Sequence, residues 1–488
     1  MGDKATLLIL LLVLCHGVAV TMGYWVTELE EGSPRPDKLF MLQKSKSVAK
    51  TDAGEMRVLE SYGGRVSERR LHIGFITMEP RSLFVPQYLD SSLVMFVRSG
   101  EAKVAFIYKD KLAERKLKRG DVYEIPAGSA FYLVNTGESQ KLHIICSIDP
   151  AESLGVGIFE SFYIGGGANP ASVLSGFEPE ILETVFNATG PELRKIFTRQ
   201  HEGPIVHLGD HSSATNIWNK FLQLKEEEKL QHLKRMVQCQ EESDDEEEEE
   251  QQASWSWRKL LESVLGVGDD NKNIRDQKFT DKSPHSCNLY DRKPDFINNY
   301  GWSVALDGSD YSPLKSSGIG IYHVNLKAGS MMTPHLNPRA TEYGVVLKGS
   351  GRIQIVFPNG SNAMDTHIKE GDVFFVPRYF PFCQIASQSG SLEFFGFTTS
   401  ARKNRPQFLV GATSLLRTMM GPELATAFGV SEETMRHVVN AQQEAVILPT
   451  PWAARVYQNQ KRREEEEEWI RRNGLISGYR YRAPFFYY

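Results

Sequence analysis

Cysteine is scarce, with five in 488 residues. Cys15 sits in the N-terminal apolar run, and the remaining four, Cys146, Cys239, Cys287 and Cys383, are far apart. Such spacing is unlike the dense framework of a small stapled domain, and in an oxidising compartment the four could pair in three ways. Basic charge is not in excess either: 56 Lys and Arg stand against 61 Asp and Glu. No basic face invites nucleic acid, so none is expected as a partner. Beyond the N-terminus no apolar run approaches the roughly 20 residues that a membrane helix needs. A phosphate loop ending in Gly-Lys-Ser/Thr is missing, and no Gly-x-Ser-x-Gly elbow lies near a suitable strand. Gly165-Gly-Gly167 lacks the following Lys-Ser of a phosphate cradle and reads as a loop.

What is present begins with a charged start, Met1 to Lys4, an apolar stretch from Ala5 to Cys15, and small residues around Gly17, Ala19 and Gly23. That order is the pattern of a cleaved signal peptide, assigned to residues 1–23. Two sequons, Asn187-Ala-Thr189 and Asn359-Gly-Ser361, are glycosylation candidates at Asn187 and Asn359 on the same route.

The chain also repeats itself. Gly120-Asp-Val-Tyr-Glu-Ile-Pro126 matches Gly371-Asp-Val-Phe-Phe-Val-Pro377, and Leu93 to Gly100 lies on Glu342 to Gly349, each followed by an alternating strand. Downstream, Pro179 to Phe186 resembles Pro422 to Phe428. Helices are predicted after these blocks, at Leu193–Gln200 behind the capping box Thr189-Gly-Pro-Glu192 and at Glu432–Asn440 behind Ser431. Short strands with period-two alternation predict a sandwich or barrel in each repeat. The Gly-Asp turn supplies a positive φ and a side-chain acceptor. Between the repeats the acidic run from Glu241 to Gln252 cannot offset its ordering entropy and predicts an extended, disordered linker. A second run, Arg462 to Glu468, precedes a tail ending in Ala483-Pro-Phe-Phe-Tyr-Tyr488.

The Glu-x6-Gly and Gly-x5-Pro signatures, present twice, resemble those of the cupin barrel. The stretch from Cys287 to Gly301 looks like the lead-in to the second barrel of vicilin-type seed storage globulins, and the charged linker and paired helices point the same way. The resemblance implies a mainly β fold of two cupin barrels (the double-stranded β-helix, or jelly roll), each followed by a small helical extension. The expected order is signal peptide 1–23, N-terminal cupin 24–222, acidic linker 223–283, C-terminal cupin 284–460 and charged tail 461–488.

Enzymatic cupins hold a divalent metal with two histidines spaced His-x-His, a glutamate, and a third histidine after the Gly-x5-Pro turn. In the first barrel those positions fall on Gln87, Leu89, Leu93 and Phe131, so every ligand is replaced. In the second, His335 and Glu342 remain, while Asn337 and Phe382 stand for the other two. Some vicilin relatives bind copper through a Cys-x-His pair and a later histidine. Those positions read Thr333, His335 and Phe380 here, and Cys383, adjoining Phe382, points to the opposite face of its strand. His335 and Glu342 are thus an incomplete metal site, which reads as a hydrogen-bonded polar pair.

Asn337, Arg339 and Tyr379, with His335, are the candidates for a small organic ligand at the barrel mouth. The resemblance implies a non-catalytic nutrient reservoir with no cofactor, sorted to protein storage vacuoles (outside the cell as the alternative) and degraded by processing proteases. Apolar stripes at Leu193, Ile196 and Phe197 and at Met435, Val438 and Val439 predict association through these helices, and the resemblance implies that it closes as a homotrimer.

Overall fold

The structure is a computed structural model. It describes residues 39–59, 71–108, 111–155, 157–208, 285–402 and 404–474. The signal segment, the acidic run at 241–252, Cys239 and the aromatic tail lie outside these residues.

The fold is mainly β, with two repeats of sheet followed by short helices. In the first, one sheet runs through Ser45–Thr51, Gly54–Leu59, His72–Met78, Leu142–Asp149, Ser92–Ser99 and Asp121–Ile125. The second sheet runs through Ser161–Tyr163, Ser82–Leu89, Phe131–Asn135, Ala102–Tyr108 and Lys111–Leu117. Alternation fills the barrel: Leu93, Met95 and Val97 from one strand meet Leu142, Ile144, Cys146 and Ile148 from its neighbour in one core. The intervening Val94, Phe96 and Ile145 are buried too, so these strands read as near-continuous apolar runs. In the second repeat the long strand Glu342–Val356 pairs with Val373–Val376 and Leu392–Thr398 at one end and with Asn362–Lys369 and Phe382–Ala386 at the other, within one twelve-stranded sheet.

The internal repeat holds to the level of single hydrogen bonds. Gly120 and Gly371 have φ of 90° and 87°, and their amides bond the carbonyls of Val97 and Val346, each at 2.9 Å. The next residue closes the turn in both copies: the Asp121 carboxylate accepts from the Lys118 amide at 2.8 Å, and that of Asp372 from the Lys369 amide at 2.9 Å. Gly100 and Gly349 share left-handed φ values of 89° and 82°. Leu93 sits between Ile125 and Ile148 as Glu342 sits between Val376 and Thr398.

Helices form where caps allow. Pro179–Phe186 starts on its proline and stops at Asn187, whose φ of 46° is left-handed. The next helix begins at Gly190, not Leu193, because Pro191 fits its first turn, and it ends at Phe197; Thr189 and Glu192 form the expected capping box. In the second repeat the Ser431 hydroxyl accepts from the Thr434 amide at 3.1 Å and opens Glu432–Ala441. Gly165 to Gly167 is a loop, where a Cβ on Gly167 would come within 2.5 Å of the Gln200 backbone.

Two features differ from the sequence reading. The chain is helical from Pro451 to Gly474, so the Glu-rich run at the start of the expected charged tail continues a helix that begins before it. Its Lys, Arg, Glu and Gln side chains are good helix formers and join at i,i+4, as in Lys461 with Glu465. The lead-in segments also exchange partners. Cys287–Asn288 pairs with Asp121–Val122, and the Asn288 amide bonds the Asp121 carboxylate at 2.9 Å, so this stretch edges the first barrel and the chain joins the second only from Phe296. Conversely, Leu42 N bonds Val373 O at 2.8 Å and Phe375 N bonds Phe40 O at 2.9 Å, which adds Phe40–Leu42 to the second barrel. Among the described residues the two compact units accordingly take 44–59 with 71–292, and 39–43 with 293–474.

Candidate functional site

The second barrel carries its polar cluster on Tyr322, His335, Asn337, Glu342 and Asn404. His335 is buried with its ring 4.1 Å from that of Phe382 and 5.5 Å from that of Phe408. Its Nδ1 lies 2.8 Å from the Thr333 carbonyl oxygen, which can only accept, so the proton sits on Nδ1 and Nε2 carries the lone pair. Desolvation lowers its pKa to about 4, against a smaller opposing contribution from the carbonyl, and the imidazole is neutral. Glu342 is buried as well, and desolvation raises its carboxyl to about 7, although Asn337 and Tyr322 partly stabilise the charged form. The Asn337 amide donates to Glu342 Oε1, and Asn404 Nδ2 donates to Asn337 Oδ1 at 3.2 Å. The Tyr322 hydroxyl faces the carboxyl outside good hydrogen-bond geometry, and this burial beside Glu342 holds its proton well above the ordinary range.

The expected direct pairing of His335 with Glu342 is therefore replaced by two separate partnerships, with the Thr333 backbone and with Asn337. Among the described residues no three His, Cys, Asp or Glu side chains converge on a point where a metal ion could sit. Phe382 occupies the third-histidine position as a fully buried ring against His335. Cys383, next to it, faces the other way, near Arg352 and Asp365, with its thiol pKa raised mainly by burial.

The small-ligand candidates do not gather in one place. Asn337 is buried, but Arg339 is exposed and Tyr379 is 57% exposed, in a left-handed conformation with its ring under the Arg378 guanidinium. Only its backbone reaches the cluster, where Tyr379 N donates to Asn337 O at 2.9 Å. Tyr322 and Asn404 are the cluster members that the motif comparison missed. Tyr322 stands one pleat from the ligand positions on a strand the motif does not contain, and no sequence spacing flags it.

In the first barrel, Leu89, Leu93 and Phe131 belong to the packed core. Gln87 pairs with Phe131 as His335 pairs with Phe382, which confirms the positional match. It is wholly buried, with neither amide atom hydrogen-bonded. Among the described residues Cys146 and Cys383 are free thiols, and burial pushes Cys146 up to about 12. Asn187 and Asn359 are both exposed.

The Cupin family profile matches residues 40–192 and 287–436, one copy per barrel. A vicilin-like seed storage protein of Arabidopsis thaliana is 55% identical over 421 residues, covering 85% of this chain and 81% of its own. This chain belongs to the cupin family, among the vicilin-like seed storage proteins. A vicilin of Pistacia vera is 27% identical, covering 82% of this chain and 67% of its own. The crystal structure of vicilin from Corylus avellana covers 86% of this chain and all of its own with a TM-score of 0.65 at 24% identity, which shows the shared bicupin fold. Storage is the function of this vicilin-like chain. Its barrels fit that role: one has lost every ligand position to other side chains, and the other keeps two that bond elsewhere.

Proposed function

We propose that the protein is a non-catalytic nutrient reserve that enters the secretory pathway, assembles as a homotrimer, accumulates in protein storage vacuoles and is later proteolysed. The observation that carries this reading is the 55% identity to a seed storage protein, together with barrel interiors turned over to packing. Storage asks for dense cores, sorting and cleavable segments, and needs no reacting group.

The helices support assembly. Each pair buries little of its apolar surface: Leu182 and Leu193 are covered, but Ile181, Val185, Phe186 and Ile196 are 47%, 67%, 45% and 62% exposed. In the second repeat Leu424, Ala425 and Met435 form a small core while Met419, Phe428 and Val438 are 62%, 59% and 62% exposed. Exposed apolar patches of this kind mark association surfaces. Two similar patches on one chain can meet head to tail and close into a ring.

The test follows a fluorescent fusion through developing and germinating seed, with light scattering on the purified protein. Vacuolar accumulation, loss during germination and a mass about three times the chain's are expected. Persistence of the protein through germination would overturn the reserve reading, and a monomer with intact helices would overturn the trimer.

A further inference from the structure

We infer that Asn359 is a self-modifying site, where the backbone nitrogen of Gly360 attacks the Asn359 side chain, expels ammonia and leaves aspartate or isoaspartate at a hairpin tip of the second barrel.

The tip joins the strands Glu342–Val356 and Asn362–Lys369. Gly360 N donates to Phe357 O and Phe357 N to Ser361 O, each at 2.9 Å, and Gly360 has a φ of 82°. This is the hairpin loop in which a turn centred on two residues, here Pro358 and Asn359, runs into a left-handed glycine. Within it the Asn359 side chain bends forward: its Oδ1 accepts from Ser361 N at 3.0 Å and from Ser361 Oγ at 2.7 Å. Reaching two residues ahead folds the carboxamide over the peptide nitrogen that lies between, that of Gly360. Asn359, Gly360 and Ser361 are all exposed, and a Cβ on Gly360 would meet nothing within 4 Å, so no neighbour crowds the attacking residue.

The Gly360 amide gives up its proton to base, its nitrogen bonds to Asn359 Cγ, and the Cγ–Nδ2 bond breaks with Nδ2 leaving as ammonia. The product is a five-membered succinimide. Water then opens the ring, at Cγ to give aspartate or at the backbone carbonyl carbon to give isoaspartate, whose main chain runs through the former side chain. One water is consumed, one ammonia is released and nothing is oxidised or reduced. Negative charge develops on Oδ1 during the attack, where the two Ser361 donors already point. Because Phe357 O holds the Gly360 proton, removing it needs base, and the reaction quickens as pH rises. Two other asparagines mark the contrast. Asn187, in the other sequon, is followed by Ala188 and caps a helix. The chain's second Asn-Gly pair, Asn473-Gly474, lies in the last turn of the helix Pro451–Gly474. Nδ2 of Asn359 is also the atom that a glycan on this sequon would occupy, so glycosylation and conversion exclude each other. A reserve held long before use would accumulate the converted residue wherever the glycan is missing.

The test is a time course of peptide mapping by mass spectrometry on the full chain, made in a host that does not glycosylate and held at neutral and at mildly alkaline pH. Isoaspartate is counted separately by enzymatic methylation of its free carboxyl group, and circular dichroism confirms that each sample stays folded. Conversion is expected at Asn359 ahead of Asn473 and Asn187, faster at the higher pH, with isoaspartate among the products. Ser361→Ala keeps the backbone donor and loses the hydroxyl, and should slow conversion about tenfold, less than a lost donor costs in a closed active site. Gly360→Ala should slow it as well, because a methyl group then stands beside the attacking nitrogen. Chain from a glycosylating host should stay unconverted at Asn359 wherever the glycan is present. Asn359 left intact while Asn473 or Asn187 converts would overturn the proposal. A native rate in folded Ser361→Ala would overturn it too, because the hairpin geometry would then contribute nothing.

Discussion

At the scale of residues, the second barrel balances two buried groups of opposite sense. Glu342 is raised to about 7, so the folded chain keeps a proton that the unfolded chain releases above its ordinary 4.5, and stability falls as pH rises from 4.5 toward 7. His335 is lowered to about 4 and stays neutral in the fold while the unfolded imidazole protonates below 6.5, so stability falls as pH drops from 6.5 toward 4. Between 4.5 and 6.5 the two slopes oppose each other. Glu342→Gln keeps an acceptor for Asn337 and removes one slope. Relative to the native chain, that variant is expected to lose about 3 kcal/mol of stability between pH 7 and pH 4.5. Urea melts at stepped pH measure this, and parallel curves for the two proteins would refute it. The ligand positions themselves were legible from the motif, as the pairing of Gln87 with Phe131 and of His335 with Phe382 shows. The bond between Glu342 and Asn337 joins two of those motif positions, but the partner of His335 and the surrounding Tyr322 and Asn404 were not legible, because a backbone carbonyl and residues outside the motif leave no trace in its spacing.

At the scale of elements, the repeat was readable because its turns impose backbone conformations that few residues tolerate. Gly349 and Gly371 separate two reasons for a glycine. Both have left-handed φ, of 82° and 87°, but a Cβ on Gly349 would lie 1.8 Å from the Ser391 carbonyl oxygen while one on Gly371 meets nothing within 4 Å. Gly371→Ala is expected to cost about 1 kcal/mol from conformation alone. Gly349→Ala should cost several times that, since the strand Leu392–Thr398 must move to admit the methyl. Thermal melts of the two variants decide it, and equal losses would show that conformation alone governs both. The helices behind Thr189 and Ser431 were also legible, from those caps. The C-terminal helix was not, because a run of like charges reads as self-repelling until the flanking Lys461 is seen at i,i+4 distance from Glu465. The partner exchange by the lead-in segments was hidden for another reason. A short strand's pattern says that it pairs, and not with which edge.

At the scale of the whole molecule, that exchange bears on what proteolysis does. The amino-terminal half donates Phe40–Leu42 to the second barrel, where Phe40 packs edge-on against Phe375 at 5.4 Å and Phe380 at 5.7 Å. The carboxyl-terminal half donates Cys287–Leu289 to the first barrel, where Leu289 N bonds Gly120 O at 2.9 Å and is joined by the Asn288 bridge to Asp121. Cutting the acidic linker between Glu241 and Gln252 leaves both donations intact, because each donated strand lies on the far side of the cut from the barrel it completes. Leu289 and Phe40 are almost wholly buried, at 2% and 3% exposure, and withdrawing either exposes apolar area and breaks backbone pairs in a buried setting. Linker-nicked protein is therefore expected to run as a single species of unchanged mass on native gel filtration and to separate into two fragments only in denaturant. Phe40→Ala, combined with removal of the residues before it, should loosen this clasp and lower the denaturant concentration at which the nicked halves part. Spontaneous separation of the nicked native chain in buffer would show that the exchanged strands contribute nothing to cohesion.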